Sequence, residues 1–394
     1  MNILFIHTTY RIFDKLDSGA ANRNTLFVES LSRLGHVDII SFFEEPIKSN
    51  INNCDVIYNR PMSRISRAGK LKKVVGLLMF PWLPWGYYDY NKECFRIVEK
   101  QLRRRDYDYI ACRYMSTAIT CGLEEFADKL IIDVDDNPTN TFKNIINTGD
   151  YHHFWTKWLM IWRVAFAKHM TKRYLNQVRC SFFSNMMESP SPKSVFLHNV
   201  SVVSNVVPTL NANTPNRLLT VGFLDYPPNR YGIIHFVECI FPIIKARVKG
   251  VELCIVGKSK DESLLNYLNS IEGVKTLGYV DDLSLVYQEC RVVVIPVYQG
   301  SGTCVKFVEG LMMNRPIVST PMGARGFQQI CYNQKHFILA NNDTEFANGV
   351  ICLLSSLDKS RDIAHKAYTV GKAYFSQEKF FEIVASTIKS LNND

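Results

Sequence analysis

The sequence predicts an α/β protein made of two Rossmann-like domains, each built on a parallel sheet. Three observations carry that expectation. The chain opens with a strand–helix–strand pattern at the spacing of a βαβ unit. A polar, proline-punctuated stretch from Thr209 to Asn216 separates two sets of such elements. In the second set, a buried-strand pattern runs into a glycine-rich turn and then a helical pattern. A length of 394 residues suits two domains of ordinary size, each able to bury a core.

The elements follow in order. Asn2 to His7 is an apolar run ending in a polar loop and reads as the first strand. Ser18-Gly19-Ala20-Ala21-Asn22 opens a helix with Leu26, Phe27, Leu31 and Leu34 at helical spacing, and Gly35 stops it. Gly19 and Ala20 place backbone N–H groups where a ligand can sit, or serve only as an N-terminal turn. Val37 to Phe42 is the second strand, and further strands are expected at Asp55–Tyr58, Tyr109–Cys112, Leu130–Val134 and Cys180–Ser184. His7 ends the first strand at the sheet edge where ligands collect, although a lone histidine in an apolar strand is more often structural.

The richest segment lies between residues 291 and 326. Arg291-Val292-Val293-Val294-Ile295-Pro296 reads as a buried strand closed by proline, and Gly302 to Met313 as a helix with Val305, Val308 and Met312 on one face. Between them stands Gly300-Ser301-Gly302-Thr303. A glycine-rich turn between a buried strand and a helix start offers backbone N–H groups and a positive helix end, which together suit phosphate. Lys306 and Glu309 share another face of that helix near its open end. A cation there suits a diphosphate, and a carboxylate one turn on suits ribose hydroxyls. The segment reads as a nucleotide-sugar site.

Gly-Ser-Gly-Thr-x-x-Lys-x-x-Glu, followed by Pro316-Ile317-Val318-Ser319-Thr320 and Gly323-Ala324-Arg325-Gly326, resembles the donor-site signature of family-4-type glycosyltransferases of the GT-B fold. Leu219-Thr220-Val221-Gly222-Phe223 looks like that family's first donor-domain strand and loop, and Val251 to Gly257 like the next strand. Leu277 to Leu283 resembles the segment bordering the base pocket, and Tyr374 to Phe380 the start of the closing helix. The resemblance is nearly continuous from about residue 217 onward and weaker before it. It implies two Rossmann-like domains facing across a cleft: an acceptor domain at 1–207, a linker at 208–216, a donor domain at 217–373, and a helix at 374–394 crossing back to the first domain. For the donor it implies a base near Tyr279 and Val280, a ribose on Glu309, and a diphosphate on Gly302, Thr303 and Lys306 beside Gly222.

The pattern is departed from in three places. Many relatives carry a Glu-x7-Glu pair whose first glutamate falls at Ser301 here. The usual arginine and lysine of the first donor-domain loop are missing, since Phe223-Leu224-Asp225 stands there; Arg230 is the nearby candidate, and Lys306 the expected stand-in. Arg113 ends a strand where many relatives carry a histidine, and is expected to pair with an acceptor phosphate or to neutralise donor charge. Asp133-Val134-Asp135-Asp136 invites a metal reading, because paired carboxylates hold magnesium in other glycosyltransferases. These carboxylates fall in the acceptor domain, and GT-B relatives use helix dipoles and cationic side chains, so no metal or other cofactor is expected. Asp135 and Asp136 are then read as orienting or deprotonating an acceptor hydroxyl, with a helix cap at Asp136 as the alternative. Lys306, Glu309, Asp135 and Arg113 are the expected catalytic set.

Composition narrows the partners. A hydrophobic content of 47% with 21% charged residues belongs to a globular protein, not a disordered one. A net charge of +9 asks for an anionic partner, and no RNA-binding signature or zinc-finger spacing supports nucleic acid. The eleven cysteines are scattered, without Cys-x-x-Cys, and the first residues are too short for a secretory h-region, so reduced thiols in cytoplasm are expected. Residues 70–90 hold Lys70, Lys72 and Lys73 before an apolar run with Trp82 and Trp85, broken by prolines and too short to span a bilayer. That run reads either as peripheral contact with the inner membrane's cytoplasmic face or as core. A second aromatic and basic region, Tyr151 to Tyr174, is read as packing Trp155, Trp158 and Trp162 inward.

The expected activity is metal-independent, retaining transfer of a sugar from a nucleotide-diphosphate donor to a saccharide or lipid-linked acceptor in surface polysaccharide synthesis. The alternatives are a GT-B nucleotide-sugar epimerase or hydrolase, and a catalytically weak, membrane-attached partner subunit of a polysaccharide assembly complex.

Overall fold

The computed structural model describes residues 1–13, 19–43, 47–61, 90–137, 139–140, 143, 146, 154–185, 191–200, 209–300 and 302–392. The run at 70–90 therefore lies, but for residue 90, outside the described residues. The chain divides into two compact units, Met1–His198 with Gln377–Asp394, and Asn199–Ser376.

In the first unit the order is β1 (Asn2–His7), α1 (Gly19–Ser32), β2 (His36–Ser41), β3 (Cys54–Asn59), α2 (Lys92–Leu102), β4 (Tyr109–Arg113), α3 (Met115–Thr120), β5 (Leu130–Asp135), α4 (Phe154–Gln177), β6 (Cys180–Phe183) and β7 (Ser194–Phe196). The strands form a seven-stranded sheet in the order β3-β2-β1-β4-β5-β6-β7, every pairing parallel. Ile3, Leu4, Phe5 and Ile6 are buried on both faces of β1, as helices above and below a parallel sheet require. Each expected strand forms within a residue or two of its expected ends, whereas β7 carries too short an apolar pattern to be read from sequence.

The second unit runs β8 (Arg217–Val221), α5 (Pro227–His235), α6 (Phe241–Arg247), β9 (Glu252–Val256), α7 (Glu262–Ser270), β10 (Val274–Gly278), α8 (Leu283–Gln288), β11 (Val292–Ile295), α9 (Val305–Met312), β12 (Ile317–Ser319), β13 (Ile338–Leu339), α10 (Asp343–Ser355) and α11 (Leu357–Phe375). Its sheet is six-stranded and parallel, in the order β10-β9-β8-β11-β12-β13. Leu218, Leu253, Ile255, Val292 and Val294 form its core with Phe236, Phe241 and Phe346 from the helices. The final helix, α12 (Gln377–Leu391), belongs to the first unit, where the Arg33 guanidinium of the α1 segment stands 3.6 Å from the ring centroid of Phe381.

The inward-packing expectation for the second aromatic region is corrected at Trp158 and Trp162, while Trp155 lies outside the described side chains. Trp158 and Trp162 are 52% and 43% exposed, with Ile161 beside them and Lys157 also exposed. The reason is length. A helix of 24 residues is about 36 Å long, and the buried residues Phe166, Met170, Tyr174 and Leu175 all come from its second half. Among the described residues, no helix is long and apolar enough to cross a membrane.

His7 is structural. Its Nε2–H donates to the Tyr10 carbonyl at 2.6 Å, while Nδ1 faces the Ser41 hydroxyl at 3.3 Å. Burial pulls its pKa down to about 4, against the hydrogen bonds to Tyr10 and Thr9 and with help from the Arg113 charge. The unfolded chain takes up this proton near 6.5 and the fold only near 4, so the associated stability is whole above pH 6.5 and is lost as pH falls towards 4. Between pH 7 and pH 5 the loss should be about 2 kcal/mol. Urea unfolding at the two pH values should show that loss in the wild type and a smaller one in His7→Gln. Equal pH dependence in both proteins would refute the assignment.

Candidate functional site

Strand order decides where the second unit can hold a ligand. It reverses between β8 and β11, so the connections from these two strands leave toward opposite faces and open a gap at their carboxyl ends. Two loops border the gap, one after β8 from Gly222 to Tyr226, which leads into α5 and its Asn229, and one after β11 carrying Gly300 and Gly302. Gly222, at φ +156°, cannot be replaced freely: a Cβ there would lie 2.7 Å from the Asn229 amide nitrogen and 3.0 Å from the Lys306 ammonium. Gly257 at the end of β9 packs still closer, since a Cβ there would fall 1.8 Å from the Gly222 carbonyl oxygen.

α9 starts at Val305, three residues later than the sequence pattern suggests, because Gly302 adopts a positive φ of 69° that the helix cannot include. Lys306 is thus the second residue of the helix, at its positive end and half-buried. Its ammonium donates to the Asn229 side-chain carbonyl at 2.8 Å, a neutral acceptor. Burial lowers the lysine's pKa, against the pull of Cys304 and Glu309. Glu309, one turn on, accepts from the Tyr287 hydroxyl at 3.1 Å, and burial raises its pKa against the effects of that hydrogen bond and of Lys306. Thr303 accepts a hydrogen bond from the Asn199 amide at 2.8 Å.

The remaining donor candidates are placed as follows. Tyr279 is exposed, its ring 4.2 Å from the Lys258 ammonium, and Val280 beside it is half-buried. Next to them lies an open recess of about 480 Å³ bordered by Phe223, Gly257, Lys258, Leu277 and Gly278. Arg230 has a partner within the protein. Its guanidinium is paired with Asp261 at 2.6 Å, where that carboxylate caps α7, so the cation beside the glycine loop is Lys306.

In the first unit, four charges meet at the carboxyl ends of β4 and β5. Arg23 of α1 holds Asp133 with two hydrogen bonds, 2.8 Å from Nε and 2.7 Å from Nη2, and donates Nη1 to the Leu197 and His198 carbonyls. Arg113 donates to Asp133 at 3.0 Å, to Asn24 at 2.9 Å, and to Asp135 and the Ala20 carbonyl. Burial opposes the Arg23 charge, but Asp133 and Asp135 outweigh it and raise the pKa; burial likewise opposes the Asp135 charge, and Arg23 and Arg113 outweigh it and lower the pKa. The expectation that Arg113 meets substrate charge is corrected on this geometry, since a buried guanidinium must spend its donors on acceptors and these are spent on the protein. It ties Ala20, at the open end of α1, to Asp135. Gly19 is the exposed first residue of that helix. Asp135 sits at φ +63°, and among the described residues no hydrogen bond reaches its Oδ1. Next to the cap position expected at Asp136, the Asn137 side chain accepts from the Thr139 N–H at 3.0 Å, and Asp136 accepts from the Ser184 hydroxyl at 3.1 Å.

Residues 215–356 match the family model described as Glycosyl transferases group 1. This unit carries a group 1 glycosyltransferase domain. The whole chain is similar to sucrose-phosphate synthase of Thermosynechococcus elongatus, with a TM-score of 0.68, 14% identity, and 100% of this chain and 99% of that one covered. It is also similar to HepE of Anabaena in complex with UDP-glucose, with a TM-score of 0.66, 14% identity, and 99% and 100% covered. At these identities the likeness establishes the fold, which is GT-B. A Klebsiella pneumoniae protein described as an uncharacterised 44.6 kDa protein in the cps region is 21% identical over 376 residues, covering 91% of this chain and 92% of that protein.

Within the glycosyltransferase domain, sequence reasoning missed Tyr287, Asn229 as the partner of Lys306, and Arg325, which occupies the variable position of the quoted Gly-Ala-x-Gly. Asn199 also reaches Thr303. The four-charge cluster of the first unit generates a test. Asp133→Asn leaves two buried guanidinium groups short of their shared counter-ion and should cost about 3–5 kcal/mol in urea unfolding at pH 7. A loss below 1 kcal/mol would show that the cluster is not a structural unit.

Proposed function

We propose that the protein is a retaining glycosyltransferase that uses a nucleoside-diphosphate sugar, with its donor on the second unit, and that it acts in the synthesis of a surface polysaccharide. One observation carries the donor assignment. Lys306 is a half-buried cation at the positive end of a helix, and its hydrogen-bond acceptor is neutral. Burial and helix dipole both disfavour an ammonium there, so the position makes physical sense once an anion completes it. The diphosphate supplies that anion. Gly302, Thr303 and Lys306 would receive it, Glu309 would accept from ribose hydroxyls, and the base would lie near Tyr279 and Val280. The UDP-glucose bound by HepE and the cps-region setting of the Klebsiella relative support the reading.

As the sugar–oxygen bond breaks, negative charge grows on the departing diphosphate. Lys306 and the helix-end N–H groups meet it without reorganising, which lowers the barrier more than it tightens donor binding. Attack from the same face of the sugar asks for no strong base. In the first unit, Asp135 stands at a strand end with an Oδ1 that accepts no hydrogen bond among the described residues and lies 3.7 Å from the Arg23 Nε; it would orient the acceptor hydroxyl, with Asp136 beside it, on a saccharide or lipid-linked acceptor. No step needs a metal.

Two sets of measurements test this. A thermal-shift screen with UDP, GDP, ADP and their sugars should find one stabilising base. Lys306→Ala should then lower turnover more than donor affinity, and Glu309→Gln should weaken donor binding by about 1.5–3 kcal/mol. Wild-type kinetics in both variants would remove the donor site from α9. Separately, transfer should survive a chelator, and Asp135→Asn should slow transfer or raise the acceptor KM while donor affinity holds. Activity lost in chelator and restored by magnesium or manganese would instead place a metal in the reaction.

A further inference from the structure

Arg325 lies outside the roles assigned so far, on the turn after β12, and its guanidinium faces the glycine loop from behind. Nη1 donates to the Gly300 carbonyl at 2.7 Å, Nε donates to the Gly302 carbonyl at 3.1 Å, and Nη2 donates to that same oxygen. One rigid fork therefore grips two loop carbonyls two residues apart. The segment bearing Arg325 is itself fixed. Ala324 is fully buried, the Gly323 N–H donates to the Thr320 hydroxyl at 3.1 Å, and the Phe327 ring stacks on Phe307 of α9 with centroids 4.5 Å apart. The arginine is thus anchored to the helix whose open end the loop precedes.

Geometry gives this grip a consequence. In a trans peptide the N–H points opposite to its carbonyl, so turning the Gly302 carbonyl onto Arg325 turns the Thr303 N–H away from it. Gly300 and Gly302, at φ +137° and +69°, have no side chains to hold such a conformation, and an ungripped loop with two glycines samples many others. We propose that Arg325 is a positioning residue for donor binding: its fork freezes the glycine loop with N–H groups turned toward the diphosphate. The inference rests on the donor assignment made above and extends it to a residue that touches no substrate. Lysine cannot replace the fork, because a single ammonium on a flexible stem does not span two fixed carbonyls at set angles.

The test measures nucleoside diphosphates against the parent nucleoside. UDP, GDP and ADP are titrated calorimetrically into wild type, and the tightest is carried forward with its nucleoside, the latter followed by ligand-observed NMR. Arg325→Lys and Arg325→Gln should each weaken the diphosphate about tenfold or more while nucleoside binding stays within about twofold. Lys306→Met serves as the control for the donor site itself. If Arg325→Lys binds the diphosphate like wild type, charge alone suffices and the positioning role is overturned. It is equally overturned if diphosphate and nucleoside weaken together, which marks a general structural loss. Should Arg325→Gln fail to fold, Arg325→Lys decides. Loss in Lys306→Met with retention in the Arg325 variants would refute the clamp and keep the donor site. A wild type that takes none of the three diphosphates would sink both.

Discussion

The constraint on which the second unit depends is the reversal of strand order between β8 and β11. Parallel strands joined by right-handed crossovers send successive helices to one face until the order reverses. At that point the helices diverge and two strand ends are left without a covering connection. Whatever fills the gap must come from the loops after β8 and β11, and these loops must approach closely without side chains in the way. Gly222 and Gly257 meet that demand by contact, since their backbones pass within the reach of a methyl group. Gly300 and Gly302 meet it by conformation. Three of these glycines lie on the two loops at the reversal, and Gly257, after β9, makes room for the first of them.

Charge is handled in two opposite ways in the two units. In the first, Arg23 and Arg113 face Asp133 and Asp135, so two cations and two anions cancel inside the protein. An isolated buried charge would cost several kcal/mol; a compensated cluster spends its Coulomb energy on geometry, locking the start of α1 to the ends of β4 and β5. The second unit leaves its central cation partly uncompensated. Lys306 has Asn229 as its hydrogen-bond acceptor, and Glu309 acts on it electrostatically from one turn away while engaged with Tyr287. Self-cancelling charge suits scaffolding, whereas a cation short of an anion suits a binding site.

Much of this was legible in the sequence. Parallel strands buried on both faces read as continuous apolar runs, so β1, β4, β5, β8, β9 and β11 announce themselves. Lys306 and Glu309 were visible because helical spacing fixes which residues share a face. Contacts between residues far apart in sequence were not visible. Nothing in Arg23 or Asp133 alone shows that they meet across 110 positions, and Arg325 sits in a motif whose glycines draw attention away from it. The tryptophans of α4 were misread for a related reason: one-face spacing says that residues stand together, not whether the core extends far enough to cover them.

The lysine on α9 also explains how the loop after β8 functions without a cation of its own. Asp225 in that loop is engaged by the Ser259 hydroxyl and the Lys260 N–H, and Arg230 is engaged by Asp261, so both charges brace the loop against the β9–α7 connection. These two charges are directed at that connection. Asn229 contributes a carbonyl instead, and Lys306 crosses from the facing helix to meet it beside Gly222. The positive charge therefore stands where the two loops converge although it is carried by the opposite element. A cation anchored on a short helix and directed by a neutral amide has less freedom than one on a mobile loop, and less of its conformational entropy remains to be lost when an anion arrives.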